Sequence, residues 1–162
     1  MTPWTLLHCA IGPALELLGA RYDTLEARAL LLAIALQESG LRHRVQQDGD
    51  ANEYDDALSW WQFERIGVAE VLRHPASATH ARMLCVDLGY PADVETVYRA
   101  MRDNDVLAAG IARLALWRHP DALPVRGSPV TAWEYYLKIW APGKPHSAPW
   151  AARYSAAWEF VI

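Results

Sequence analysis

Glu38 stands where a purely structural carboxylate would not be expected. It ends the run Leu30-Leu31-Leu32-Ala33-Ile34-Ala35-Leu36-Gln37, and Gly40 follows two residues later as a helix stop signal. A helix that buries that run carries Glu38 in its last turn, where two effects raise a carboxyl's pKa. Partial desolvation disfavours the charged form, and the negative end of the helix dipole disfavours it again. A carboxyl kept protonated near neutral pH is what a leaving oxygen needs as its proton donor. A merely solvated helix-end glutamate would have the same sequence, so the residue has to be read with its neighbours.

Those neighbours are aromatic and polar. Ser59-Trp60-Trp61-Gln62 follows a polar stretch, and Tyr135, Tyr136 and Trp140 punctuate a later helical run. The chain holds eight Trp and seven Tyr but only two Phe. Trp and Tyr combine a flat apolar face with a polar edge, which suits the apolar faces and hydroxyl rims of pyranose rings. Most of the tryptophans read as core, with Trp60 and Trp61 as groove candidates.

Other chemistries find less support. Asp48, Asp50, Glu53, Asp55 and Asp56 lie in one loop, but without the DxDxDG register of a calcium site. His43, His74, His80, His119 and His146 fit no zinc spacing, and there is neither a GxSxG elbow nor a phosphate-cradling glycine loop. Neither a metal nor a cofactor is expected. The net charge of −4 argues against nucleic acid, which calls for a basic footprint. Cys9 and Cys85 lie in apolar stretches and read as two buried thiols in a reducing compartment rather than a disulfide.

The elements that position these residues are mostly helical. The first stretch, containing His8, Pro13 and Glu16, reads as a helix and not as a signal peptide, since it has no basic leading segment. The apolar run Ala27–Leu36 is interrupted by Arg28 and is too short to span a bilayer. Asp23 is the expected N-cap of the run that ends at Glu38, with Glu26 completing a capping box. Being apolar nearly all round, that helix is expected to be buried and central. Residues 41–63 read as loops with a short hairpin. Helical patterns follow over about 65–73, 76–88, 94–101, from Asn104 or Asp105 to His119, from Ser128-Pro129 to Trp140, and over about 150–160. With no repeat or linker in residues 1–162, we read one domain: mainly α (α+β lysozyme-like), helices around a central buried helix, with a small irregular or β-hairpin lobe.

In order and spacing, Gln37-Glu38-Ser39-Gly40, then Ser59-Trp60-Trp61-Gln62-Phe63-Glu64, then DVLAAGIARLALW and WEYYLKIWAPGKPH, resemble the lysozyme-like superfamily. The branch is that of lytic transglycosylases and goose-type lysozymes, and the segments are most like its phage and prophage proteins. The resemblance extends over roughly residues 25 to 145. It implies cleavage of peptidoglycan glycan strands between N-acetylmuramic acid and N-acetylglucosamine, with Glu38 as the catalytic acid. It further implies a groove bounded by Ser39, Trp60, Trp61, Gln62, Glu64, Tyr136 and Trp140, and no cofactor.

The sequence departs from that pattern in informative places. Ser59, Trp60 and Trp61 stand in place of the family's Gly-Leu-Met, while Gln62 is retained. Trp140 and Ala141 replace the Tyr-Asn whose tyrosine hydroxyl supports the catalytic glutamate. Tyr136, one helical turn before Trp140, is positioned to supply that hydroxyl, with Tyr135 in reserve. A hydrolase requires a second carboxylate roughly 5–9.5 Å from the acid, whereas a lytic transglycosylase uses one glutamate as acid and then as base. Glu64 aligns with an acidic position of the goose-type enzymes, yet no loop acid has a spacing that marks it as nucleophile or base. The transglycosylase route is therefore favoured. The expected setting is a phage virion or host cytoplasm, with action in the periplasm after delivery and other virion proteins as candidate partners. Neither nucleic acid nor membrane insertion is expected.

Overall fold

The run preceding Glu38 has no polar face to leave in water, and this dictates how the chain folds around it. In the computed structural model, which describes residues 1–45 and 56–162, the run forms helix α3 (Leu25–Glu38). Every residue from Ala29 to Ala35 is fully buried. The N-cap is Thr24, whose hydroxyl accepts a hydrogen bond from the Ala27 amide at 3.1 Å. The expected cap, Asp23, instead forms an ion pair with Arg28 at 2.6 Å. Both residues precede the same helix, and the one whose oxygen reaches the third amide wins the cap.

Mainly helical structure surrounds α3. The N-terminal stretch is α1 (Pro3–Leu6), a π-helical turn (Leu7–Ile11) and α2 (Gly12–Leu18). The widened turn has a local cause: Pro13 has no N–H to give, and the Gly12 amide bonds back to the Leu7 carbonyl. Helices α4 (Arg65–Arg73), α5 (Ala78–Asp87), α6 (Val94–Ala100), α7 (Asp105–Trp117), α8 (Pro129–Trp140) and α9 (Trp150–Val161) follow. Asn104 caps α7, accepting from Leu107 N at 2.9 Å, while Asp105 pairs with Arg44 at 2.7 Å. Pro129 opens α8 as expected, but the Ser128 side chain makes no capping bond.

Three packing relations set the position of the site. Helix α9 lies along α3 and against α8. Helix α7 packs on α5 through Gly110, where an added Cβ would come within 2.3 Å of a Leu84 methyl. Helix α4 bridges α5, α6 and α7.

Among the described residues the stretch read as loops with a short hairpin holds isolated antiparallel bridges, Val45 with Leu58 and Leu58 with Phe63. One sequence expectation needs correction. Cys9 is exposed and only Cys85 is buried, both as free thiols. Cys9 lies within the π-helical turn, where it faces outward with His8 while Leu7, Ala10 and Ile11 are buried. Asp48, Asp50, Glu53 and Asp55 lie outside the described residues. Among the described residues no helix is long and apolar enough to cross a membrane.

Because Thr24 alone satisfies the Ala27 amide, Thr24→Ala should lower unfolding free energy by about 1 kcal/mol. Urea unfolding checks this, and an unchanged midpoint would return the cap to Asp23.

Candidate active site

The site is assembled where α3 ends. The last turn of α3 has no basic residue, and the chain leaves it through Ser39, Gly40 and Leu41, the latter two in left-handed conformation at φ 57° and 56°. Ser39 is buried rather than groove-facing. Its hydroxyl shares its one proton between the Ala35 and Trp60 carbonyls, at 3.0 and 2.9 Å, and accepts from Leu41 N. The resemblance made Ser39 a substrate contact; in the structure its polar capacity is spent fastening the chain after α3 to the turn at Trp60.

That turn holds the second group of predicted residues. Leu58 and Phe63 exchange backbone hydrogen bonds at 2.9 and 2.8 Å, closing a tight loop of Ser59, Trp60, Trp61 and Gln62. Trp60 and Trp61 were expected in the groove, but the structure buries both, Trp61 completely. The Trp61 indole donates to the Leu31 carbonyl at 2.9 Å, so the ring anchors the turn against α3. Arg44 covers the Trp60 ring at 4.4 Å. An apolar surface as large as an indole's is more stable beneath the turn than exposed in a polar cleft. Gln62, held at φ 50° with its amide donating to the Ser59 carbonyl at 2.7 Å, does reach the cleft.

Helix α8 supplies the facing wall. Trp140 donates its indole N–H to the Trp61 carbonyl at 2.9 Å and packs edge-on against Phe63. The turn is thus pinned from both sides, by Ser39 and by Trp140. One helical turn earlier, the Tyr136 hydroxyl donates to Glu38 Oε1 at 2.5 Å, the contact expected of it. Trp150 of α9 stacks on the Tyr136 ring, with centroids 5.0 Å apart, and this fixes where the hydroxyl points. Tyr135, the reserve candidate, faces away and donates to the Leu116 carbonyl.

Glu38 opens onto a cleft of about 650 Å³ whose walls also include Gln62, Phe63, Glu64, Trp140 and Arg118. Burial raises its pKa from the ordinary carboxylate range to about 7, outweighing the Tyr136 hydrogen bond and the charge of Arg153, both of which favour the carboxylate. Arg153, on α9, donates to the Gln37 carbonyl and side chain at 3.3 and 2.9 Å. It is the positive group nothing in the sequence pointed to, because its helix and Glu38 are distant in the chain. Burial and the adjacent carboxyl push the Tyr136 hydroxyl's pKa well above the usual tyrosine range. Tyr136 is therefore a donor at every working pH.

Backbone strain concentrates at the same place. Among the described residues the non-glycine positions with positive φ are Leu41, Ser59, Gln62 and Ala141. Each lies on the exit from α3, on the Trp60-Trp61 turn or directly after Trp140. Conformations of this kind cost of order 1–3 kcal/mol each and gather at functional sites. Among the described residues, no group of three His, Cys, Asp or Glu side chains is arranged to hold a metal. No protein-family model, no curated protein and no solved structure matches this chain.

The raised pKa of Glu38 carries a stability consequence. Below about pH 4.5 the carboxyl is protonated folded or unfolded and contributes nothing. Between about 4.5 and 7 the unfolded chain ionises first, and the folded state loses stability relative to it; above about 7 that loss is complete. Glu38→Gln should therefore gain about 3 kcal/mol on wild type between pH 4 and pH 8. Urea unfolding of both proteins at the two pH values measures the difference; a gap independent of pH would mean that Glu38 titrates normally.

Proposed function

We propose that this protein cleaves peptidoglycan glycan strands between N-acetylmuramic acid and N-acetylglucosamine, by lytic transglycosylase chemistry on a lysozyme-like fold with α3 as its central helix. The observation that carries the reading is the Glu38 carboxyl, protonated near neutrality, held by the Tyr136 hydroxyl and opening on the cleft. The resemblance of the QESG, SWWQFE and WEYYLKIWAPGKPH segments supports the same assignment, as does the backbone strain around Glu38.

The proposed reaction balances with one carboxyl. Glu38 delivers its proton to the glycosidic oxygen as the bond from that oxygen to C1 of the muramic residue breaks, and the electron pair leaves with the oxygen. Glu38 is then a carboxylate, the form favoured by Tyr136 and Arg153. It takes the proton from the sugar's own 6-hydroxyl while O6 closes on C1, giving a 1,6-anhydro end and regenerating the acid. One group whose pKa lies near the working pH serves both steps. Desolvation without the tyrosine and arginine would favour the acid step only. Gln62 and Trp140 supply the polar and aromatic contacts of the groove, and Tyr136 acts on Glu38 rather than on substrate.

A two-carboxylate hydrolase is the second reading. It is favoured by one observation: Glu64, at the start of α4, lines the same cleft as Glu38. The phage-like segments support delivery to the wall by a virion or a holin, with action in the periplasm.

Glu38→Gln should fold and lose on the order of 10²–10⁴-fold in wall-cleaving rate, measured as turbidity loss of purified walls, since it keeps the shape and removes the titrating proton. Retention of more than about a tenth of the activity would mean another residue is the acid. Mass spectra of fresh products should show anhydro ends, each one water lighter than a reducing end, and Glu64→Gln should reduce the rate only modestly. Reducing ends together with a deep loss in Glu64→Gln would favour the hydrolase.

A further inference from the structure

The cleft that holds Glu38 also contains a guanidinium whose bonding is largely unused. Arg118 follows the last turn of α7. Its Nη1 donates to Glu70 Oε2, on α4, at 3.0 Å, and its Nε is buried with no hydrogen-bond partner. The side chain is only 17% exposed, yet it lines the cleft together with Glu38, Glu64 and Lys144. A guanidinium has five donors in a rigid fork that fits a carboxylate with two parallel bonds. The Glu70 contact is single, and the Glu70 side chain is itself 56% exposed, so the pair leaves Arg118 under-bonded and partly desolvated.

A structural role accounts for part of this. A cation at the end of α7 complements the helix dipole, and the Glu70 contact ties α7 to α4. Neither requires a place on the cleft wall. Glu64 and Glu70 also line the cleft, so a neutral sugar would have met acidic walls without the charge of Arg118 opposing them. The arrangement fits a substrate that brings its own carboxylate close to the scissile bond.

We propose that Arg118 is a specificity-determining residue that reads a free carboxylate on the stem peptide of peptidoglycan. This rests on the glycan-cleavage reading above. The glycan backbone has no free carboxylate where the lactyl group is amide-linked to a peptide, so the nearest negative charge is on the peptide's own acidic residues. Glu70 takes one N–H of Nη1 and Nε has no accessible surface, so the ligand meets the Nη1–Nη2 edge of the guanidinium. Lys144, in the segment after α8, adds a second positive charge to the cleft lining.

The test compares kcat/KM on two soluble strand preparations, one with stem-peptide carboxylates free and one with the same carboxylates amidated. Wild type should prefer the free form by about ten-fold or more, a range expected of a charge-assisted pair. Arg118→Met should bring the ratio below about two, and Arg118→Lys, which keeps the charge but not the fork, should fall between. Binding of the same two preparations to the Glu38→Gln protein should show the same preference without turnover. A wild-type ratio near one, or a ratio unchanged in Arg118→Met, overturns the assignment. Cleavage of neither preparation by wild type overturns the glycan-cleavage reading itself. A carboxylate preference in the binding measurement would then leave Arg118 as an anion reader of a non-cleaving protein.

Discussion

The architecture depends on a helix that has nowhere polar to put itself. From Ala29 to Ala35 every side chain of α3 is buried, so α3 must be covered on all sides, and what covers it is fixed with it. Helix α9 lies along its length, and Trp61 bonds to its Leu31 carbonyl. At its end the covering stops, and Glu38 is the first ionisable side chain to reach an opening. A carboxyl at that boundary is desolvated enough to hold its proton near neutral pH and open enough to give it away.

Geometry at that boundary is held by hydrogen bonds within the protein itself. Ser39 fixes the Trp60 carbonyl, Trp140 fixes the Trp61 carbonyl, and the stack of Trp150 on Tyr136 aims a hydroxyl at Glu38. Three elements distant in the chain converge within a few residues of the carboxyl. The strained residues Leu41, Ser59, Gln62 and Ala141 are at the joints between them. The ionised form of Glu38 is disfavoured in the folded state, so the property that suits it to acid chemistry also reduces stability above pH 7. Lost stability above pH 7 is the usual cost of a carboxyl whose pKa is raised by burial.

Much of this was legible from the chain because it is local. The apolar run marked α3, Gly40 marked its end, and helical spacing placed Tyr136 on the face of Trp140. What the sequence did not reveal was direction. Trp60 and Trp61 are as compatible with a sugar groove as with a core, and only the pairing of Leu58 with Phe63, which turns the intervening residues under α3, decides for the core. Asp23 and Thr24 are equally good caps on paper; the choice depends on which oxygen reaches Ala27 and on Arg28 claiming the other. Arg153 and Arg118 left no signal, since each matters through a partner on another helix.

Glu38 retains its proton to about pH 7 because the fold desolvates it. Titration of the Glu38 side-chain carboxyl by carbon-detected NMR, assigned by the resonance missing in Glu38→Gln, measures that directly. The expected midpoint is near 7, moving higher in Tyr136→Phe as the hydrogen bond that favours the carboxylate is lost. A midpoint near 4.5, unmoved by that substitution, would contradict it and leave Glu38 an ordinary solvated carboxylate at a helix end.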